Sequence, residues 1–543
     1  MTALRIAVVG CGPRGLSAVE RVSAYAHSAS DRPVELTVVE PGVPGVGIHH
    51  TDQPDYLLLN TVAGQLTIFS DEAMVPDAPV TAGPDLFRWC RERGVTVPTP
   101  AGPRGIRFDD FLPRRLLGEY LTWAAGELLA TLPANVRLDL RRRVATAVEP
   151  AGAGARVTLD DRTELVVDLV IVTTGHGVAA EPGATTDPAW IGDPYPLPSS
   201  LDGVGPAMTV GVLGAGLTGM DVVAALTVGR GGRHERGRYL PSGREPRIVL
   251  VNRTGWLPAA RPRLPRSRVP SVARHLTRDA VAELRARAEH GRIDLWRDIE
   301  PLVLADVEHG LDAAGRRTVR RLLGPSGTWD DHAEWRGQVL EQARYDLGEA
   351  ERGLGESPLK DRLELLRDHR ETLRRVVDEP GLTDSGHRDF FRVFTAMVNR
   401  AVIGPQRERI AEVLALAEAG VLDLGPGPAP GQVRTATGWE LRSTALKQPM
   451  VTEVDVLVSA NLGQPAAGPL LGWARPGRGA GELDLTRDGY LRTPAGSVTA
   501  VAVFGPPAEG ASYYNHYVPS PGVWSRALTD LDRVLANRMA PIR

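Results

Sequence analysis

The stretch VGVLGAGLTGM (210–220) reads as a buried strand, a glycine turn and the start of a helix. A similar stretch, IAVVGCGPRGL (6–16), opens the chain. The glycines are Gly214, Gly216 and Gly219 in one, and Gly10, Gly12 and Gly15 in the other. In such a turn the first glycine allows the bend, the second lets backbone approach a pyrophosphate, and the third lets helix pack on strand. The helix N-terminus, with Pro13 and Arg14 or Leu217 and Thr218, then presents N–H groups to the anion. Two turns in one chain predict two dinucleotide sites.

The surroundings of the turns repeat as well. VELTVVE (34–40) is the second strand of the first copy and ends in Glu40, where a carboxylate can accept ribose hydroxyls. RVTLDDRTELVVDLVIVTTGHG (156–177) adds alternating strands, then a buried strand closing in a turn at Gly175. The second copy keeps this order. RIVLVNR (247–253) is its second strand, and WELRSTALKQPMVTEVDVLVSANLG (439–463) repeats the late strands and the closing turn, with Asn461. The likeness of VDLVIVTTG to VDVLVSANLG supports duplication of a whole α/β unit. Where the first copy has an acid, the second has Arg253, which accommodates a 2′-phosphate. One site is therefore expected to hold FAD and the other NADPH, the hydride donor.

The fold class that follows is α/β, with two Rossmann-like dinucleotide-binding domains, the second inserted in the first, and a mainly helical insertion. The expected division is 1–205 for the first part of the FAD-binding domain and 206–265 for the first part of the NADPH-binding domain. Residues 266–401 form the helical insertion, 402–474 the second part of the NADPH-binding domain, and 475–543 the return segment. RDAVAELRARAEH and DRLELLRDHRETLRRVV carry the helical pattern, and their charge runs are expected to be solvated faces or an oligomer contact. YLRTPAGSVTAVAVFGPP (490–507), which includes Gly505, is expected to complete the first unit. PAWIGDPYPLPSS (188–200) reads as a linker.

Composition excludes several classes. A chain of 543 residues with net charge −3 gives no argument for nucleic acid or an anionic membrane as partner. No apolar run reaches the roughly 18 residues needed to span a bilayer. The N-terminus enters a strand at once, so a cytoplasmic location is expected. Two cysteines, Cys11 and Cys90, exclude a disulfide framework and a Cys-X-X-Cys site, and no metal is expected. Cys11 reads as a small turn residue. Only Lys360 and Lys447 are lysines; the other 61 basic residues are arginines, which disfavours Schiff-base chemistry.

At these residues the chain resembles the FAD/NAD(P)-binding flavoproteins related to N-hydroxylating monooxygenases, and among them the nitrosuccinate-forming aspartate N-monooxygenases. VVGCGPRGLSAVE, GVGIHHTDQPDYLLLNTVAGQLTIFSDE (45–72), FLPRRLLGEYL (111–121), GAGLTGMDVV (214–223) and VNRTGWLP (251–258) carry the likeness. Leu59, Asn60 and Ala63 match the family's LN-x-x-A pattern. The resemblance implies that Asn60, Thr61 and Gln65 lie near the flavin. It implies NADPH-driven reduction of FAD, uptake of O2 as a C4a-hydroperoxide, and attack on that oxygen by a neutral amine, with L-aspartate the best guess. The segment between the units lacks the F-x-G-x-x-x-H pattern of Baeyer–Villiger enzymes. Two other classes stay open: a flavin reductase serving a protein or quinone acceptor, and a non-enzymatic dinucleotide-sensing scaffold.

FGPPAEGASYYNHYVPSPGVW (504–524) holds a polar-aromatic cluster in a chain with only 5% aromatics. Tyr513, Tyr514, Asn515 and His516 are expected either to line the flavin or substrate pocket, with His516 taking the substrate's proton, or to form a hydrogen-bonded domain seam. In HRDFFRVFTAMVNRAV (387–402), Phe390, Phe394, Met397 and Ala401 make an apolar stripe. Arg388, Arg392 and Asn399 lie on the other face. Two arginines one turn apart can clamp a carboxylate, so these are the expected substrate residues.

Overall fold

The computed structural model describes residues 2–29, 32–99, 102–176, 187–324, 327–460, 469–479 and 481–539. Both faces of the strand Leu4–Val9 are covered, which is why its sequence is almost continuously apolar. It pairs in parallel with Val34–Val39 and with Leu169–Val172. Val136–Arg141 and Val498–Val503 extend the sheet in parallel, and Tyr490–Arg492 adds an antiparallel edge. Side chains alternate between the faces. Ile6 and Val8 meet the helices Pro13–Ala29 and Arg526–Met539. Ala7 and Val9 meet a meander of Ala145–Ala151, Gly154–Leu159 and Glu164–Val167.

The second sheet repeats this plan. Its order is Trp190–Ile191, Val456–Ser459, Thr209–Leu213, Arg247–Val251 and Leu422–Asp423, all parallel. Val210 and Val212 share a core with the helix Leu217–Leu226. Leu213, Val249, Val251 and Leu457 share another with a second meander, Gly431–Arg434, Trp439–Arg442 and Val451–Val454. The repeated strand order in the sequence is thus one three-layer arrangement built twice.

Two segments differ from the sequence reading. The Pro-rich stretch is more than a linker, because Trp190–Ile191 is an edge strand and Trp439 Nε1 donates to the Ala189 carbonyl at 2.8 Å. The helices between Arg278 and Val402 do not share one core. His332–Arg352 packs with Arg407–Glu418 against the second sheet, through Trp335, Val339, Ile410 and Val413. The others gather around Leu295, Val303, Leu373, Phe390 and Phe394, and this core takes in Tyr513 from the far end of the chain. Phe390–Phe394 is a π turn, which shifts the helical phase at that point. Among the described residues no helix is long and apolar enough to cross a membrane.

Candidate functional site

Both glycine turns open into one cleft of about 2440 Å³. At the first, Gly10 has φ +86°, and a Cβ there would stand 2.9 Å from the Thr173 carbonyl oxygen. A Cβ on Gly15 would strike the Gly10 carbonyl, and one on Gly219 the Gly214 carbonyl, so both third glycines serve helix-on-strand packing. Gly12 and Gly216 line the cleft. A Cβ at Gly12 would lie 3.3 Å from Gly47 Cα, whereas one at Gly216 would meet nothing within 4 Å.

Glu40 closes the first turn. Its carboxylate accepts the Cys11 N–H at 2.7 Å and the Gly42 N–H at 2.9 Å. Cys11 is buried, and its thiol is pushed up to about 12 by that burial and then by Glu40, so it is no nucleophile. Arg14 is buried too. Its Nη2 donates to the Asn515 and Tyr517 carbonyls at 3.0 and 3.2 Å, while Nε and Nη1 have no hydrogen-bond partner among the described residues. A backbone cradle without side chains, an acid at the strand end and an under-satisfied guanidinium fit a dinucleotide.

Pro13, Asn60, Thr61, Gln65 and Gly175 line the cleft on the first side, and Gly214, Leu217, Thr218 and Arg253 on the second. Arg392, Asn399, Tyr514, Asn515 and His516 line the remaining wall. Gly505 stands behind it, where a Cβ would be 3.3 Å from Arg14 Cγ. Asn461 lies outside the described residues.

Two expected substrate residues do not reach the cleft. Tyr513 is buried in the helical core, edge-on to Phe390 with ring centroids 5.1 Å apart. Arg388 is exposed and absent from the lining, because the π turn breaks the one-turn spacing that would stack it on Arg392. Asn515 is present, but its side-chain N–H groups are committed to Glu509 at 3.2 Å and to the Ser512 carbonyl at 2.9 Å. Those donors are engaged within the loop rather than turned to the cleft.

The helical stretch supplies what the sequence reading missed. Arg367, Arg370, Arg374 and Arg400 line the cleft, so part of the charge pattern expected to be solvated faces or an oligomer contact faces the cleft instead. Arg367 Nη2 donates to Gln65 Oε1 at 3.2 Å. Arg374 holds the Tyr513 and Tyr514 carbonyls, each at 2.9 Å. The Arg370 guanidinium lies 3.7 Å from the centre of the Tyr514 ring. Arg370 makes no ion pair among the described residues. No lysine lines the cleft: Lys360 is buried against Asp346, and Lys447 pairs with Asp330.

Glu509 was also missed; a lone acid in a Pro/Gly-rich loop carries no signal of its own. It accepts the Tyr514 and Asn515 N–H groups, each at 2.9 Å, and sits 3.8 Å from His516 Nδ1. Burial would raise its carboxyl, but His516 and these N–H groups hold it below the ordinary range. Glu509 thereby fixes Tyr514 at φ +60°, a conformation tyrosine rarely adopts. His176, beyond Gly175, faces His516 with ring centroids 6.3 Å apart, and burial holds its pKa below the usual value. Among the described residues no three His, Cys, Asp or Glu side chains gather as a metal site.

Residues 7–177 match a family model described as FAD-NAD(P)-binding. Over 98% of its length the chain is 31% identical to nitrosuccinic acid synthase of Aspergillus oryzae, covering 92% of that protein. It is 31% identical, over 98% of its length and 94% of the relative, to the nitrosuccinate-forming L-aspartate N-monooxygenase of Streptomyces cremeus. Among solved structures, the ornithine N-hydroxylase of Kutzneria sp. 744 aligns over 99% of both chains at 15% identity, with a TM-score of 0.46. The two glycine turns on one cleft and this full-length identity give one conclusion: the chain belongs to the FAD- and NAD(P)H-dependent N-hydroxylating monooxygenases, in the family of the nitrosuccinate-forming aspartate N-monooxygenases.

Proposed function

We propose that the enzyme hydroxylates the α-amine of a small dicarboxylic amino acid, L-aspartate first, and carries the oxidation on to nitrosuccinate. The observation that carries this reading is a cleft bearing both nucleotide turns and a wall whose strong cations are all arginines. A dicarboxylate needs two cationic partners. Arg370 is the first, since it faces the cleft without an ion pair of its own. Arg392 is the second; its one ion pair among the described residues is a long one, 3.8 Å, to Asp389 just before it on the helix. Asn399 Oδ1 is buried without a hydrogen-bond partner among the described residues and suits an N–H of the substrate amine. The relatives named for aspartate support the same substrate class.

Two nucleotide-binding units complete the reading, with FAD at the Gly10–Gly15 turn and NADPH at the Gly214–Gly219 turn. The second unit inserted in the first is part of this reading; the parallel pairing of Val498–Val503 with Leu169–Val172 supports the return of the chain to the first sheet. A cytoplasmic location belongs to this reading as well. FAD, once reduced by NADPH, supplies the oxygen-activating chemistry. The chain's part is to orient the amine and strip its proton. A substrate ammonium has no lone pair, so His516, steadied by Glu509, takes that proton and leaves a neutral amine. Turnover should therefore rise with pH until another group titrates.

The test is NADPH consumption with L-aspartate under ¹⁸O2, with product mass spectrometry. Label on the substrate nitrogen supports the proposal. NADPH consumption with an electron acceptor and no incorporated oxygen would favour the reductase alternative.

A further inference from the structure

Beyond Arg253 the chain turns back along the helix Thr395–Val402. The Ala259 N–H donates to the Arg400 carbonyl at 2.9 Å, and the Arg261 N–H to the Pro405 carbonyl at 2.8 Å. This return brings the Arg400 side chain to the cleft wall that also carries Arg253, Leu323 and Gly324. Arg400 Nε donates to the Leu322 carbonyl at 2.7 Å, and Nη2 reaches the Leu322 and Gly324 carbonyls. These carbonyls end the helix Ala313–Leu323, so the guanidinium is anchored at the negative end of a helix dipole. Nη1 takes no part in these bonds. No carboxylate lies within ion-pair distance of Arg400 among the described residues. Burial, and then the proximity of Arg253, bring its pKa down to about 10.

Carbonyl dipoles neutralise the Arg400 guanidinium only in part, and Nη1 lies outside those bonds. A phosphate dianion at this wall would take up charge-assisted bonds from Arg400 and Arg253. The second glycine turn lines the same cleft, and Arg253 stands at the strand end where a nucleotide's ribose is read. We propose that Arg400 is a second cationic partner of the NADPH 2′-phosphate, so that the 2′-phosphate site is assembled from the second sheet and the helical stretch together. This rests on the NADPH reading above and adds a specificity-determining residue to it. It also gives the helical stretch a part in choosing the donor, besides its part in the substrate wall.

Arg400 also caps a helix, so the test must separate charge from capping. Adenosine 2′,5′-bisphosphate and 5′-AMP differ only in the 2′-phosphate, and both can be titrated calorimetrically into the FAD-loaded protein. Arg400→Gln keeps a donor for the Leu322 carbonyl and removes the charge. It should weaken the bisphosphate about tenfold and leave 5′-AMP within about twofold. Arg400→Lys keeps the charge but loses the fork, and should cost about threefold for the bisphosphate alone. It serves as the test if the Gln variant fails to fold. Equal losses for both nucleotides, or no loss for the bisphosphate, would overturn the proposal and leave Arg400 as a cap. Wild-type protein that binds both nucleotides equally would overturn the NADPH reading itself, a different result from failure at Arg400 alone.

Discussion

The two nucleotide units share a layer plan and differ at one strand end. In the first, Glu40 ends the second strand and its carboxylate is already tied to the turn by the Cys11 and Gly42 N–H groups. In the second, Asn252 makes the internal tie, its Oδ1 accepting the Thr254 and Gly255 N–H groups, and Arg253 lines the cleft. The covering elements differ as well. The first sheet is completed by Val498–Val503 and packs against Arg526–Met539, so residues from both ends of the chain meet in one core. Residues of the helical stretch line the cleft onto which the second turn opens. Two like turns thus differ in the residue beyond the second strand and in what packs over it.

The strongest way to break this comparison is at the middle glycines. Gly12 and Gly216 occupy equivalent places, but Gly12 backs onto Gly47 and Gly216 faces open space. Gly12→Val should put a side chain where the FAD pyrophosphate belongs and yield protein with little flavin, read from its absorbance after purification. Gly216→Val should fold, purify yellow, and raise the NADPH Michaelis constant by tenfold or more, a loss of about 1.4 kcal/mol or greater. Flavin-replete Gly12→Val protein would show that the first turn is not the FAD site.

A smaller effect sharpens the difference at the strand ends. Arg253→Ala should raise the NADPH Michaelis constant about tenfold, since a charge-assisted contact is worth about 1.5–3 kcal/mol. NADH kinetics should hardly move. Equal effects on the two donors would count against a 2′-phosphate contact at Arg253.

Much of this was legible in the sequence, because the turns and strands declare themselves locally. Apolar runs ending in glycines, an acid and an arginine at equivalent strand ends, and a repeated late strand all lie within short windows. The cleft-lining arginines of the helical stretch were not legible. Arg370 belongs to a helix with the Arg/Glu/Leu pattern of any solvated helix and Arg400 to the mostly uncharged TAMVNRAV, and only their packing turns them toward the cleft. Arg388 illustrates the opposite error. An ideal helix would stack it on Arg392, which lines the cleft, but the π turn at Phe390–Phe394 moves the phase, and no local sequence rule announces such a turn. Tyr513 and Tyr514 are neighbours with opposite fates. One lies in the helical core and the other on the cleft, because Glu509, five residues earlier in the same loop, accepts the Tyr514 N–H and holds that residue at positive φ.

The smallest expected effect concerns how the two units are held to each other. Asp221, on the helix that follows the second glycine turn, accepts Arg114 Nη2 at 2.5 Å and the Tyr195 hydroxyl at 2.6 Å. Arg114 begins the helix Arg114–Ala130, which packs against the first unit's glycine-turn helix through Leu16. Asp221 is buried, so removing its charge would leave Arg114 without a counter-ion, a loss of about 3–5 kcal/mol. Tyr195→Phe is the gentler probe. It removes the hydrogen bond donated to Asp221 and the longer one accepted from Arg114 Nη1, and leaves the ion pair, so it should cost about 1.5–3 kcal/mol. Chemical denaturation should detect that loss, while FAD content and both donors' kinetics stay at wild-type values. If Tyr195→Phe instead alters NADPH turnover as strongly as Arg253→Ala does, the tie between the units is part of donor binding, and the two units cannot be treated as separate nucleotide sites.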